Sequence, residues 1–108
     1  GADMKKATYK IEDRCGAFHN VTGYATKHFG VHKTPKGWSL THLATRGRVR
    51  ICPTKRCAAT IADALETQLT PEALAAKDHT TFVNATLAIQ DLWPWMKAAA
   101  TTRAPKPF

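Results

Sequence analysis

The sequence predicts an α+β protein, a three-stranded antiparallel β-sheet packed on an amphipathic helix and followed by one or two further C-terminal helices. Three observations lead there. Residues 18–52 are rich in β-branched and aromatic side chains and are cut by two tight-turn signals, Pro35-Lys36-Gly37 and Thr45-Arg46-Gly47. From Pro53-Thr54 onward the apolar residues recur at helical spacing instead. Strands come first and helices after, without alternation, which is the order of an α+β chain rather than a doubly wound one.

The elements follow in order. Ala7, Tyr9 and Ile11 alternate weakly and could add an N-terminal strand, with Glu12-Asp13-Arg14 as a turn after it. Phe18 to His32 reads as one long β-rich stretch. Val21, Ala25, Phe29 and Val31 point to the core in this reading; Asn20, Thr22, Tyr24, Thr26, His28 and His32 point to water or a ligand. Lys33-Thr34-Pro35-Lys36-Gly37 is a hairpin connection. Trp38 to Ala44 is the second strand, with Trp38, Leu40 and His42 on one face and Ser39, Thr41 and Leu43 on the other. After Thr45-Arg46-Gly47, the alternation of Arg48-Val49-Arg50-Ile51 turns Val49 and Ile51 inward and both arginines outward. Thr54 caps a helix whose stripe is Ala58, Ile61, Ala62, Leu65 and Leu69. Thr70-Pro71-Glu72 opens a further helical turn. A third helix starts near Thr81, carries Phe82, Ala85 and Ile89 on one side, and is expected to kink near Trp93 because Pro94 lacks a backbone donor.

A length of 108 residues is that of a single domain, spanning 1–108. Within it, 1–6 reads as a tag remnant and flexible start, 18–52 as the basic sheet, 54–99 as the helical part and 101–108 as a disordered tail. Gly1-Ala2-Asp3 before Met4 has the look of a cloning remnant, so the natural chain is expected to begin at Met4. No apolar run approaches the ~20 residues of a membrane-spanning helix, and no secretory signal is visible. Three cysteines without such a signal fit a reducing cytoplasm and no disulfide framework.

Charge is the most informative property. Between residues 1 and 57, twelve Lys or Arg face three acidic residues, a surplus of nine; from 58 to 108, four face five. So sharp a split concerns partners rather than fold and points to a polyanion. On the expected outward face of the sheet, Arg48 and Arg50 lie side by side with Thr26, His28, Ser39 and Thr41, while Lys27, Lys33, Lys36 and Arg46 occupy the edges and turns. A β-ribbon fits the major groove of DNA, where Arg bonds guanine in bidentate fashion and Ser, Thr and Lys hold phosphates. The expectation is therefore a cytoplasmic duplex-DNA-binding protein, with no cofactor.

Three basic strands followed at once by an amphipathic helix, Phe29 to Leu69 with the junction Cys52-Pro53-Thr54-Lys55, resemble the three-stranded-sheet DNA-binding domains. These are the arm-binding N-terminal domains of phage-type tyrosine integrases and the plant AP2 domains. The resemblance covers about forty residues of pattern and implies a sheet laid in the major groove with the helix behind it. It suggests a phage, plasmid or bacterial accessory factor, and carries over no catalytic residue.

Cys15, His19, Cys52 and Cys57 contain zinc-type ligands at loose spacing, and packed free thiols are the preferred reading. The five histidines (His19, His28, His32, His42, His79) come without a nucleophile motif, paired carboxylates or a phosphate loop, so no enzyme is expected. In Leu92-Trp93-Pro94-Trp95-Met96, Trp93 suits core closure and Trp95 an exposed partner contact, and a homodimer through this helix would present two basic sheets to one duplex. Two rival readings remain. One is a small phage- or plasmid-type protein that binds and inhibits a host protein or defence complex, as anti-CRISPR proteins do. The other is an RNA-binding module, for which Tyr24 is the candidate stacking residue.

Overall fold

The computed structural model describes residues 4–89. Five strands come first, β1 (Lys5–Glu12), β2 (Phe18–Ala25), β3 (Phe29–Thr34), β4 (Gly37–His42) and β5 (Arg48–Cys52), followed by α1 (Lys55–Gln68), α2 (Pro71–Ala75) and α3 (His79–Ala88). The strands form one antiparallel sheet in sequence order, β1-β2-β3-β4-β5. The α+β class holds, but the sheet has five strands, not three. The weak Ala7-Tyr9-Ile11 alternation is a full strand paired along its length with β2, from Lys5 opposite Ala25 to Glu12 opposite Phe18. The stretch from Phe18 to His32 is two strands. Its break is a turn at Thr26, whose N–H donates to the Phe29 carbonyl at 2.8 Å and whose Oγ1 accepts from the Phe29 N–H at 3.2 Å.

The helices form where the spacing predicts. Thr54 Oγ1 accepts from the Cys57 N–H at 3.0 Å, an N-cap bond that satisfies one of the donors a helix start leaves open. The stripe Ala58, Ile61, Ala62, Leu65 and Leu69 is buried as expected. It packs on the sheet face that carries Phe29, Val31 and Leu40, all fully buried. Pro71 takes the first turn of α2, capped by Thr70, and Asp78 caps α3 by accepting from the Thr81 N–H at 3.0 Å. Phe82 of α3 completes the core. Among the described residues no helix is long and apolar enough to cross a membrane. The expected kink at Pro94, the exposure of Trp95 and the tail from Thr101 lie outside the described residues.

The fold turns on the β2–β3 crossing. These strands pair only at Tyr24–Val31 and Ala25–Gly30. Immediately before that contact, Gly23 sits so close to β3 that a Cβ there would lie 2.0 Å from the Val31 carbonyl oxygen. Only glycine permits that approach. The β1–β2 ribbon can then fold back over the sheet face opposite α1. There the Tyr9 ring lies directly on Gly30, Tyr9 Oη is 3.4 Å from His32 Nδ1, and the Glu12 N–H donates to the Arg46 carbonyl at 3.0 Å. Burial raises the Tyr9 phenol to about 12, against a lowering hydrogen bond from Thr41, and burial with the nearby Arg48 charge lowers His32. Of the positions assigned to water or ligand, His32, Ser39 and Thr41 are thus buried in a second interior, whereas Asn20 and Thr22 stay exposed on the outer side of the ribbon.

His42 ties the opposite face together. Its ring is fully buried and stacks on Phe82 with centroids 3.7 Å apart. Nε2–H donates to the Leu74 carbonyl at 2.7 Å, and Nδ1 accepts from Thr45 Oγ1 at 2.9 Å. Burial lowers its pKa, with the Leu74 carbonyl opposing the shift. One neutral imidazole therefore links β4, the β4–β5 turn and α2.

Candidate nucleic-acid interface

The residues expected to form one cationic plane are separated by a β-bulge. Leu40 pairs with Arg50 and Thr41 with Arg48, so the register shifts by one residue at Val49. Strict alternation places both arginines on one face; the bulge places them on opposite faces. Arg50 follows Leu40 beneath the helical layer and is fully buried, with its pKa lowered chiefly by that burial. It is not a surface contact residue. Arg48 follows Thr41 onto the ribbon side, remains exposed, and donates from Nε to Ser39 Oγ at 3.0 Å.

The remaining assigned positions do not converge either. Ser39 and Thr41 are each only 1% exposed because the ribbon covers them. Thr26 is committed to its own turn, and His28 Nδ1 sits 2.8 Å from Glu66 Oε1, pinning the β2–β3 turn to α1. Lys27 is exposed beside that turn, whereas Lys33 and Lys36 lie at the β3–β4 end, Lys33 with Nζ 5.5 Å from the Trp38 ring centroid. The candidate metal ligands are likewise dispersed. Cys15 and His19 lie at the ribbon turn, Cys57 is on α1, and Cys52 is a core thiol that burial pushes up to about 11. Among the described residues no group of three His, Cys, Asp or Glu is placed to hold a metal.

The structure brings a different set together. Folding the ribbon over the sheet leaves a cleft of about 380 Å³ between them. Arg14, Arg46 and Arg48 line it, with Ser39 and Thr41 as floor and Ile11 as an apolar wall. Glu12 and Asp13 complete the lining. Asp13 is committed to the turn. Its Oδ1 accepts from the Cys15 and Ala17 N–H groups at 2.8 and 2.9 Å, and Oδ2 meets His19 Nε2 at 2.6 Å. His19 first and those backbone donors next hold its carboxyl below the ordinary range. Arg14, Arg46 and Arg48 form no ion pair among the described residues.

Arg46 is held in an unusual conformation. Its φ of 65° is left-handed, a region that glycine would occupy at this position without cost. The position is locked by Arg46 N–H donating to the His42 carbonyl at 2.7 Å and by its own carbonyl accepting from Glu12. The guanidinium stands 5.1 Å from the centroid of the Phe18 ring.

The outer side of the ribbon carries the second basic feature. Lys6, Thr8 and Lys10 of β1 lie opposite Tyr24, Thr22 and Asn20 of β2, and all but Tyr24 are exposed. Thr8 and Thr22 join their hydroxyls at 3.2 Å across the pair. Sequence reasoning missed Lys6, Lys10 and Arg14. The signal was present in the alternation of Lys6, Thr8 and Lys10 with Ala7, Tyr9 and Ile11, which is that of a half-buried strand with a basic outer edge.

Fold and site together define a class: a small α+β protein with a curled five-stranded sheet, a basic ribbon folded across it and an arginine-lined cleft between them. Comparison with protein-family models, with curated proteins and with solved structures finds no match to this chain.

Proposed function

We propose that this protein binds duplex DNA, with the β1–β2 ribbon as the element that enters the major groove and the cleft arginines as phosphate contacts beside it. The observation that carries the reading is the outer ribbon face, where Lys6, Thr8, Lys10, Asn20 and Thr22 form a continuous exposed set of donors. The major groove, about 12 Å wide, admits a two-stranded ribbon, and Lys and Asn are the side chains that read guanine and adenine there. Eight residues per strand span roughly 27 Å at about 3.4 Å each, enough to follow the groove across several base pairs.

Phe18 remains 54% exposed at the ribbon turn beside Arg46. The outer ribbon face beyond it is polar, and its one ring, Tyr24, is occupied by Lys55 Nζ 3.4 Å from its centroid, which favours duplex over single-stranded nucleic acid. Single-strand binders stack bases on such rings. DNA is favoured over RNA because the A-form major groove is too deep and narrow for a ribbon.

The test is fluorescence anisotropy with a labelled 20-base-pair DNA duplex, its RNA counterpart and heparin over a salt series. Changing Lys6 and Lys10 together to Gln should reduce the slope of log K against log salt by about 1.8, the counterion equivalent of two phosphate contacts. A double variant with an unchanged slope, or equal affinity for heparin and both duplexes, would reject the ribbon as the reading element. Capture of a nuclease-resistant protein in place of DNA would favour the inhibitor class instead.

A further inference from the structure

We infer that the cleft beneath the ribbon turn is a binding site for a phosphate monoester, the dianionic group carried by a nucleic-acid strand end or by a free nucleotide. The inference deepens the nucleic-acid reading and rests on it only for the source of the phosphate, not for the chemistry of the cleft.

Three features lead to this ligand class. The first is stoichiometry of charge. Arg14, Arg46 and Arg48 open onto one concavity whose lining also holds Glu12 and Asp13, three cations against two carboxylates for a formal charge of +1, and none of the three arginines forms an ion pair among the described residues. A phosphate within a continuous strand carries one negative charge, whereas a terminal phosphate carries nearly two and offers three oxygens to planar guanidinium forks. The second is shape. A cleft of about 380 Å³ falls within the range of roughly 300–1,000 Å³ typical of small-molecule sites. The third is orientation. Arg48 is fixed by its Nε bond to Ser39 Oγ, which leaves the terminal guanidinium nitrogens as donors. Arg46 is held at a left-handed φ where glycine would be unstrained. Strain retained at one side chain is a mark of a functional site when the side chain itself is what the position supplies.

The acidic residues of the lining fit the same ligand. Asp13 is consumed by the turn it closes. The Glu12 carboxylate accepts no hydrogen bond among the described residues and lines the cleft, where it can accept from a sugar hydroxyl. Phosphate, sugar and cleft volume together match a nucleotide unit better than inorganic phosphate alone.

The experiment compares 20-base-pair DNA duplexes carrying 5′-phosphate or 5′-hydroxyl ends, with adenosine monophosphate titrated separately by calorimetry. The variants are Arg46→Gly, Arg48→Gln and the Lys6→Gln/Lys10→Gln pair. Arg46→Gly is the decisive one, because glycine suits the backbone and a thermal melt will confirm that the variant is folded. The expected result is a preference for phosphorylated ends of about tenfold or more, the scale of one lost charge-assisted hydrogen-bond partner, abolished by either arginine change. The lysine pair should lower affinity for both duplexes equally and leave that preference intact. Binding of adenosine monophosphate with the same arginine dependence, and no preference between duplex ends, supports the cleft with a free nucleotide as the source. Equal affinity for both duplexes together with no heat from the mononucleotide would overturn the site. So would a folded Arg46→Gly protein that binds like the wild type. The ribbon reading can fail in the salt series while the cleft still takes the mononucleotide, so the two outcomes remain separate.

Discussion

Replacing Gly23 with alanine tests the crossing on which the whole arrangement depends. The added methyl would stand 2.0 Å from the Val31 carbonyl oxygen and 3.0 Å from both Cα and Cβ of His32. Van der Waals contact between carbon and oxygen is about 3.3 Å. The backbone at the crossing must therefore move by roughly 1 Å, and the obstacle is main chain, not a rotatable side chain. That movement falls on the two β2–β3 pairs next to it, Tyr24–Val31 and Ala25–Gly30. Loss of one or two ladder hydrogen bonds costs about 1 kcal/mol each, and the overpacking itself costs about 1–3 kcal/mol. A total of roughly 2–5 kcal/mol corresponds to a fall in Tm of about 8–40 °C, at about 4–8 °C per kcal/mol for a domain of this size. Circular dichroism melts measure the fall directly. Release of the Tyr9 ring from Gly30 should also lower the phenol's titration midpoint from about 12 toward its ordinary value. A Tm within a few degrees of wild type and an unchanged phenol would refute the claim that glycine is required there. The ribbon would then owe its position to something other than this close approach.

The remaining predictions concern the arginines and acid. Arg48→Met should reduce the salt slope of DNA binding by about one unit, whereas folded Arg50→Met should leave it unaltered, because the Arg50 guanidinium is buried beneath the helices; equal effects on the slope would restore the single cationic plane. Burial lowers the pKa values of His42 and His32, so the native state resists protonation that the unfolded chain accepts near its ordinary value of about 6.5. The stability these groups contribute is present above about pH 6.5 and is lost as the pH falls below it. Melts at pH 7.5 and 5.5 should show a lower Tm in acid, and His42→Gln should remove part of that difference; a Tm that rises on acidification contradicts the neutral, doubly bonded imidazole described above.

Much of the architecture was legible because it rests on local chemistry. The caps Thr54 and Thr70, the proline at the start of α2 and the stripe from Ala58 to Leu69 depend on neighbours within one or two turns, and the chain announces them by spacing, whereas α3 starts at His79 behind an Asp78 cap and not near Thr81. The β3–β4 hairpin was legible for the same reason, since a proline and a glycine at Pro35 and Gly37 set its turn. The charge split is also a property of composition: residues 1–57 carry an excess of nine positive charges.

What tertiary structure decided was which charges are available. A single extra residue at Val49 sends Arg48 and Arg50 to opposite faces, and no periodicity of two contains a bulge. A single glycine at position 23 lets a ribbon that reads as weak alternation fold across Ser39 and Thr41 and bury them. Both events depend on contacts between residues far apart in the chain, and those contacts repay the chain only when the whole sheet is formed. Sequence could therefore name the charge and the order of the elements, whereas the folded backbone assigned one arginine to the core, another to a cleft and the exposed lysines Lys6 and Lys10 to the strand that looked least certain.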